Sequence, residues 1–404
     1  MNPDERLLKY VAFDTTSDED SETVPSAAKE LVLGKYLAEE LGGIGLEGTE
    51  LDDKGYVYGF LPASEGCEQA PVIALVAHMD TSPAVSGADI KPRRIQYEGG
   101  DIVLSDKVSI TEKSFPFLKN YAGQELIVTD GTTLLGADDK AGVAEIFTAM
   151  EYLLAHPEVK HGRVAVCITP DEEIGRGADF VDVKALGADF GYTVDGGTLG
   201  ELEYENFNAA GARFTVNGVN IHPGSAKNKM KNAVLIAAEF ISLFPAAETP
   251  AHTEGYEGFY HFGDISGNET CTKLSMIIRD HDREKFEARK AFAKRAVDYI
   301  NSVYGEGTIE AVIRDSYYNM KELILPHPEI IARAEEAYRA AGITPVAVPI
   351  RGGTDGARLS YEGLPCPNLS TGGENFHGIH EFVSVPAMRK MVEVLVNILK
   401  AEES

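Results

Sequence analysis

The sequence predicts an α/β fold: a domain built on a mostly parallel sheet, carrying an inserted smaller α+β domain of ferredoxin-like βαββαβ order. Three observations predict it. Residues 72–77, 164–168 and 190–194 are unbroken apolar runs, the pattern of strands buried on both faces. Helical patterns alternate with these runs, which implies a parallel sheet. Between 208 and 319 the order becomes strand, helix, strand, strand, helix, strand, the split-βαβ arrangement.

The elements follow in order. Residues 5–12 place Leu7, Leu8, Val11 and Ala12 at helical spacing, and a polar loop covers 14–22. A second helix is expected over 26–41, where Leu33, Leu37 and Leu41 recur every four residues and Gly42 and Gly43 stop it. Residues 56–61 read as a strand. The strand at 72–77 ends in His78 and Asp80. Residues 83–135 form a long polar insertion, β-rich and irregular. A buried helix covers 141–154. The strand at 164–168 ends in Asp171, Glu172 and Glu173, and that at 190–194 ends in Asp195. After 318 the helix–strand alternation returns, and an amphipathic helix closes the chain over 386–400. The expected division is a catalytic domain of 1–207 and 320–404 and an inserted lid- or dimerisation-type domain of 208–319.

Composition narrows the partners. The chain has 404 residues, 37 basic and 64 acidic, for a net charge of −27. That balance disfavours nucleic acid and anionic membranes. The cysteines Cys67, Cys167, Cys271 and Cys366 are scattered, without paired spacing, and are expected as free thiols in a reducing compartment. No apolar run approaches the roughly 18 residues of a membrane span. The N-terminal residues lack the basic-then-apolar order of a signal peptide. The expectation is a cytoplasmic protein.

In open α/β sheets ligands bind beyond the carboxyl ends of the strands. Three strands here deliver imidazole or carboxylate at that end, and residues 135–142 (LGADDKAG) add two aspartates at a helix start. Asp138 alone would be an ordinary helix cap. A carboxylate has two oxygens, so one aspartate can bridge two metal ions, and Asp139 is the expected bridge. His78 is an expected ligand, with Asp80 orienting its ring as carboxylates commonly do for metal-bound histidines. Glu172 and Glu173 are adjacent and cannot point the same way. One binds metal while the other serves as a base for a metal-activated water. Asp195 and His377 complete the set, although the residues alone do not separate His377 from His380. Five ligands, His78, Asp139, Glu173, Asp195 and His377, with one bridging, make two sites of three ligands each. Nitrogen and oxygen donors without cysteine fit catalytic zinc, with cobalt or manganese as substitutes. His222 is a candidate to stabilise an oxyanion. Arg279, Arg351 and Asn319 are candidates to grip a peptide carboxylate, the arginines through their bidentate fork.

Residues 77–83 (AHMDTSP), 135–142, 169–175 (TPDEEIG), 194–197 (VDGG), 221–224 (IHPG) and 375–378 (NFHG) together resemble the M20 family of metallopeptidases. Within it the chain resembles the tripeptide aminopeptidases, also in its long insertion after Asp80. The motifs span nearly the whole chain in the family's order. The resemblance implies two Zn2+ ions per chain, one held by His78, Asp139 and Asp195 and the other by Asp139, Glu173 and His377. It implies Glu172 as general base and Asp80 as orienter. It selects His377 over His380, because the family ligand stands four residues before a glutamate, here Glu381. It brings His222 from the inserted domain to the scissile carbonyl, and carries Arg279 and Arg351 over as substrate-gripping groups. The loop after Arg351 departs from the pattern in carrying the acidic Asp355.

The expected function is removal of the N-terminal residue from tripeptides by a zinc-activated water with a glutamate base. The expected partners are small peptides, and a homodimer is compatible with the inserted domain. Two rivals share the sequence features. One is another M20-type dipeptidase or N-acyl amino acid amidohydrolase. The other is a non-catalytic metal- or peptide-binding protein on the same scaffold, against which the intact Glu172 and full ligand set argue.

Overall fold

The computed structural model describes residues 1–401, so residues 402–404 of the expected first domain lie outside the described chain. Contacts divide the chain into two compact units. The first holds Met1–Tyr204, Met320–Val348 and the residues from Thr354 on; the second holds Glu205–Asn319 and Pro349–Gly353. Residues 205–207 and 349–353 therefore lie on the other side of the division from the one expected. Arg351 gives the reason for the second segment. Its guanidinium donates to the carbonyls of Thr253, Gly255 and Glu257, all in the second unit.

The first unit is built on an eight-stranded sheet. Ile73–His78 lies at its centre, parallel to Val164–Thr169 on one side and to Phe190–Gly196 on the other. Asn368–Ser370 continues the parallel run beside Phe190–Gly196. Antiparallel strands Val57–Leu61 and Glu47–Leu51 extend the opposite edge. Every residue of Ile73–His78 and of Val164–Thr169 is buried, as unbroken apolar runs require. The helices Ala137–Ala155, Pro328–Ala340 and Val385–Leu399 contribute to the same large core. The insertion after Asp80 adds Arg93–Tyr97 and Gln124–Val128. Gln124–Val128 pairs with Arg93–Tyr97 on one side and with Phe382–Ser384 on the other, in a separate antiparallel sheet over a small core of its own. The helix expected from Ser26 begins only at Glu30. Residues 26–29 form a bend and turn in which the Glu30 N–H donates to Ala27 O and the Ala27 N–H to the Glu30 side chain, while the Ser26 N–H donates to Asp171.

One buried group is out of keeping with this core. Glu145, in Ala137–Ala155, is fully buried, and neither carboxyl oxygen has a hydrogen-bond partner. Burial pushes its carboxyl well above the ordinary value of 4.5. Folding therefore favours the protonated form. Its contribution to stability is complete below pH 4.5 and is lost as pH rises towards the folded-state value. Glu145→Met is expected to raise stability by about 1–3 kcal/mol at pH 8 and by less at pH 4. Thermal unfolding at the two pH values checks this, and a variant less stable than the parent at pH 8 contradicts it.

The second unit has the βαββαβ order. Strands Asn208–Asn217, Phe259–Gly267, Cys271–Asp280 and Ile309–Tyr317 form one antiparallel sheet. The first and third strands are central, paired along their full length from Asn208↔Asp280 to Asn217↔Cys271. Helices Ala233–Ser242 and Arg283–Tyr304 supply the rest of its core. Each opens with a side-chain cap, from Asn232 and Asp282 respectively. No helix among the described residues is long and apolar enough to cross a membrane. Cys167, Cys271 and Cys366 are free thiols.

Candidate metal centre

The first unit gathers its strand-end residues around two imidazoles. His78 is the last residue of its strand. Its Nε2 lies 3.0 Å from Asp138 Oδ1, 3.3 Å from Asp195 Oδ1 and 4.0 Å from Glu172 Oε2. The His377 Nε2 lies 3.0 Å from Asp138 Oδ2 and 2.9 Å from Glu173 Oε2. Asp138 thus presents one oxygen to each imidazole. Two overlapping sets of donor atoms lie within 4.8 Å of one another: His78, Glu172 and Asp195, and His78, Asp138 and Glu173. Neither His377 nor His380 is in these two sets; His377 joins them through Asp138 and Glu173, whereas His380 packs against the Phe115 ring.

The structure turns Asp138, not the expected Asp139, towards both imidazoles. Asp139 Oδ2 accepts the His78 N–H at 3.1 Å and its Oδ1 accepts the Gly142 N–H at 3.2 Å. Both oxygens are engaged by backbone, and the donor sets include Asp138 instead. The cause is local geometry. The backbone leaves the helical region at Asp138 (φ −83°, ψ 106°) and at Asp139 (φ −119°, ψ 31°), which sends the two side chains apart. Gly142 must be glycine for this to fit. A Cβ there would stand 1.8 Å from Val194 O and 2.5 Å from Asp139 Oδ1. From 245 residues along the chain, Glu381 holds the same loop. Its Oε2 accepts the N–H groups of Leu135 (2.7 Å) and Gly136 (3.0 Å), and its Oε1 that of Asp138 (3.1 Å).

Asp80 is a second organiser. The His78 Nδ1 lies 3.2 Å from Asp80 Oδ1 and 3.1 Å from its carbonyl oxygen. The Asp80 carboxylate also accepts the N–H groups of Glu172 (3.0 Å) and Glu173 (3.1 Å), and the Ser17 hydroxyl. One side chain thereby orients an imidazole and fixes the turn that carries both glutamates.

The electrostatics call for a cation. Burial, opposed by His78, and crowding by other carboxylates leave the Asp195 carboxyl raised to about 7. Burial and Asp195 push Glu172 well above the usual range, and burial and Asp138 push Glu173 up. Hydrogen bonds to Asp138 and Glu173 hold His377 up to about 11. Burial opposes protonation of His78, yet Asp195, Asp138 and Asp80 outweigh it and raise its value well above normal. Burial works against Asp138 too, but its bonds to His377 and His78 hold it below the usual carboxylate range. Several carboxylates packed around two imidazoles make an environment that positive charge stabilises. Glu173 Oε1 is buried with no hydrogen-bond partner, an oxygen lone pair with nothing to receive it. Divalent ions fit this donor set of imidazole nitrogen and carboxylate oxygen.

Residues 125–401 match the model of peptidase family M20/M25/M40. The chain belongs to that family. It is 54% identical over 398 residues to a Peptidase T of Clostridium novyi, covering 98% of each chain. It is 53% identical over 399 residues to a Peptidase T of Caldanaerobacter subterraneus, covering 98% of this chain and 97% of that one. Among solved structures, aminopeptidase PepT from Bacillus cereus superposes with a TM-score of 0.78 at 26% identity, over 99% of this chain and 98% of that one. A tripeptidase from Staphylococcus aureus gives the same TM-score at 23% identity and shows the shared fold. The chain is thus an M20-family peptidase, and the candidate metal centre draws on the matched segment and on His78 and Asp80 before it.

The remaining expected site residues belong to the second unit. His222 is exposed, and its Nδ1 accepts the Gly224 N–H at 3.1 Å. Arg279 is half-buried over the Tyr317 ring and donates to Ile278 O. Arg351 bonds to Thr253, Gly255 and Glu257 and lies over the Phe207 and Phe259 rings. Its fork therefore closes its own unit rather than lying open. Asn319 is corrected outright. It is buried, its Oδ1 accepts the Asn206 N–H and its Nδ2 donates to His281 O, so its amide ties backbone together.

Asp171 and Asp355 have contacts that their positions in the chain do not foretell. Asp355 is buried, accepts the Thr169 hydroxyl at 2.7 Å, and is pushed up to about 7 by burial. Its Oδ atoms press on Gly177, where a Cβ would meet them at 2.4 Å. The signal was an acidic residue in an otherwise small-residue loop, and only the fold places it behind the strand end at Thr169.

Proposed function

We propose that this M20-family peptidase is a tripeptide aminopeptidase that uses two divalent metal ions, zinc by donor chemistry. The observation that carries the reading is Asp138 with one oxygen on each of two imidazoles, beside a glutamate that bonds to neither. His78, Asp138 and Asp195 would hold one ion, and Asp138, Glu173 and His377 the other. When bound, the ions supply Lewis acidity to the peptide carbonyl and acidify water.

The protein's own groups do the rest. Glu173 turns to His377 at 2.9 Å, while Glu172 lies in the donor set with His78 and Asp195 but stays 4.0 Å from the His78 Nε2, which supports assigning it to move protons. Glu172 takes a proton from the attacking water and returns it to the leaving amine, releasing an N-terminal amino acid and a dipeptide. Asp80 keeps the His78 ring and the glutamate turn in one register. The relatives named Peptidase T and the structural neighbour named an aminopeptidase support this substrate class.

A panel of di-, tri- and tetrapeptides and N-acetylated amino acids, assayed on chelator-treated and metal-restored protein, tests the reading. Free tripeptides are expected to turn over fastest, with loss on chelation and recovery on adding zinc, cobalt or manganese. Metal analysis is expected to approach two ions per chain. Cleavage of the N-acetylated substrates alone would reject the aminopeptidase assignment.

A further inference from the structure

We propose that Asp171 is a positioning residue through which the N-terminal loop of residues 17–30 aims the catalytic glutamate. The inference rests on the reading of Glu172 as the base, and goes beyond it in naming what holds that side chain in place.

Asp171 immediately precedes Glu172 and is fully buried. Its backbone is left-handed (φ 59°, ψ 18°), a conformation that Asp and Asn tolerate best among residues with a Cβ. This bend ends the Val164–Thr169 strand direction and swings the next two N–H groups towards Asp80. Both Asp171 carboxylate oxygens accept one donor, the Ser26 N–H, at 2.9 and 2.8 Å. Ser26 is itself held. Its hydroxyl accepts the Asp18 N–H at 2.9 Å and donates to Glu30 Oε1 at 3.3 Å, and that oxygen also accepts the Ala27 N–H. Arg176 adds a further tie, from its Nη1 to Ser21 O, while its N–H closes the turn on the Asp171 carbonyl. At the other end of the loop the Ser17 hydroxyl donates to Asp80, and the Ser17 N–H to Thr81 O.

The loop thus grips the glutamate turn at two points, Asp171 from behind and Asp80 from the side. None of Ser17, Ser26, Glu30 or Asp171 belongs to the donor sets of the metal centre. A merely structural role would lower melting temperature and leave the surviving folded enzyme with normal turnover. A positioning role lowers kcat in fully folded, fully metallated enzyme. A displacement of the reacting group by about 1 Å costs about 100-fold in rate.

The test measures kcat, KM, metal content and melting temperature for Asp171→Ala, Asp171→Asn and Ser17→Ala, all in the metal-loaded full chain with a tripeptide substrate. Asp171→Ala is expected to lower kcat by about 100-fold at unchanged KM and metal content, well below its melting temperature. Asp171→Asn keeps an acceptor for Ser26 and the left-handed backbone, and is expected to restore most of the turnover. Ser17→Ala removes one hydroxyl, provides the reading should Asp171→Ala not fold, and is expected to lower kcat with KM unchanged. Normal kcat in either alanine variant, or an asparagine variant no better than alanine, overturns the proposal. Glu172→Gln, run alongside, separates the two readings. If that control keeps full turnover, the assignment of the base is wrong, whatever Asp171 does.

Discussion

Glu172→Gln is expected to abolish peptide turnover, by about 100- to 10,000-fold in kcat, while leaving both metals bound. The amide has the size of the carboxylate but cannot take a proton from water. Glu172 is bonded to neither imidazole: its nearest approach to His78 Nε2 is 4.0 Å, against 2.9 Å between Glu173 and His377. Its backbone N–H stays on Asp80, so the turn is retained in the variant. Glu173→Gln makes the contrast. It replaces a donor that faces His377, and is expected to lose metal as well as activity. Steady-state kinetics with elemental analysis distinguishes the two. A Glu172→Gln enzyme with full activity removes the general base from the mechanism, and one that has lost its metals makes Glu172 a ligand.

Asp138→Ala is expected to drop metal content below two ions per chain and to remove activity with it. Both oxygens of Asp138 face imidazoles, so its loss empties a donor position on each side. Asp139→Ala is expected to behave differently. It leaves the His78 and Gly142 N–H groups buried without an acceptor, at about 1–3 kcal/mol each, and shows first as lowered stability. Metal titration of both variants, beside their unfolding transitions, checks the assignment. If Asp139→Ala loses metal at unchanged stability while Asp138→Ala keeps two ions, the bridge is Asp139 after all.

The two aspartates show where reading the chain stopped. Consecutive residues of a regular helix point about 100° apart, and the pattern from Val143 to Met150 gave no sign that the backbone leaves the helix at 138 and 139. Which carboxylate faces the imidazoles depends on those dihedrals. They in turn depend on Glu381, which binds the loop across 243 or more residues of chain. Asn319 and Arg351 show a related ambiguity. A polar side chain in a loop reads the same whether it faces substrate or ties backbone, and only the positions of Asn206, His281, Thr253 and Glu257 decide. The Leu33, Leu37 and Leu41 pattern does not mark where its helix begins; the turn before Glu30 is shaped by the Ala27 N–H on the Glu30 side chain and the Glu30 N–H on Ala27 O.

The sequence by itself determined the architecture, because burial on both faces demands unbroken apolar strands and a strand–helix alternation leaves little choice but a parallel sheet. It also determined the chemistry available, since carboxylates and imidazoles at strand ends meet at one edge of such a sheet. The tertiary structure decided which oxygen faces which nitrogen. That choice is made by hydrogen bonds between distant segments, from Glu381 to the loop of Asp138, from Asp80 to the glutamate turn and from Ser26 to Asp171. Such bonds leave no periodic trace in the chain, because their partners share neither a helix face nor a strand.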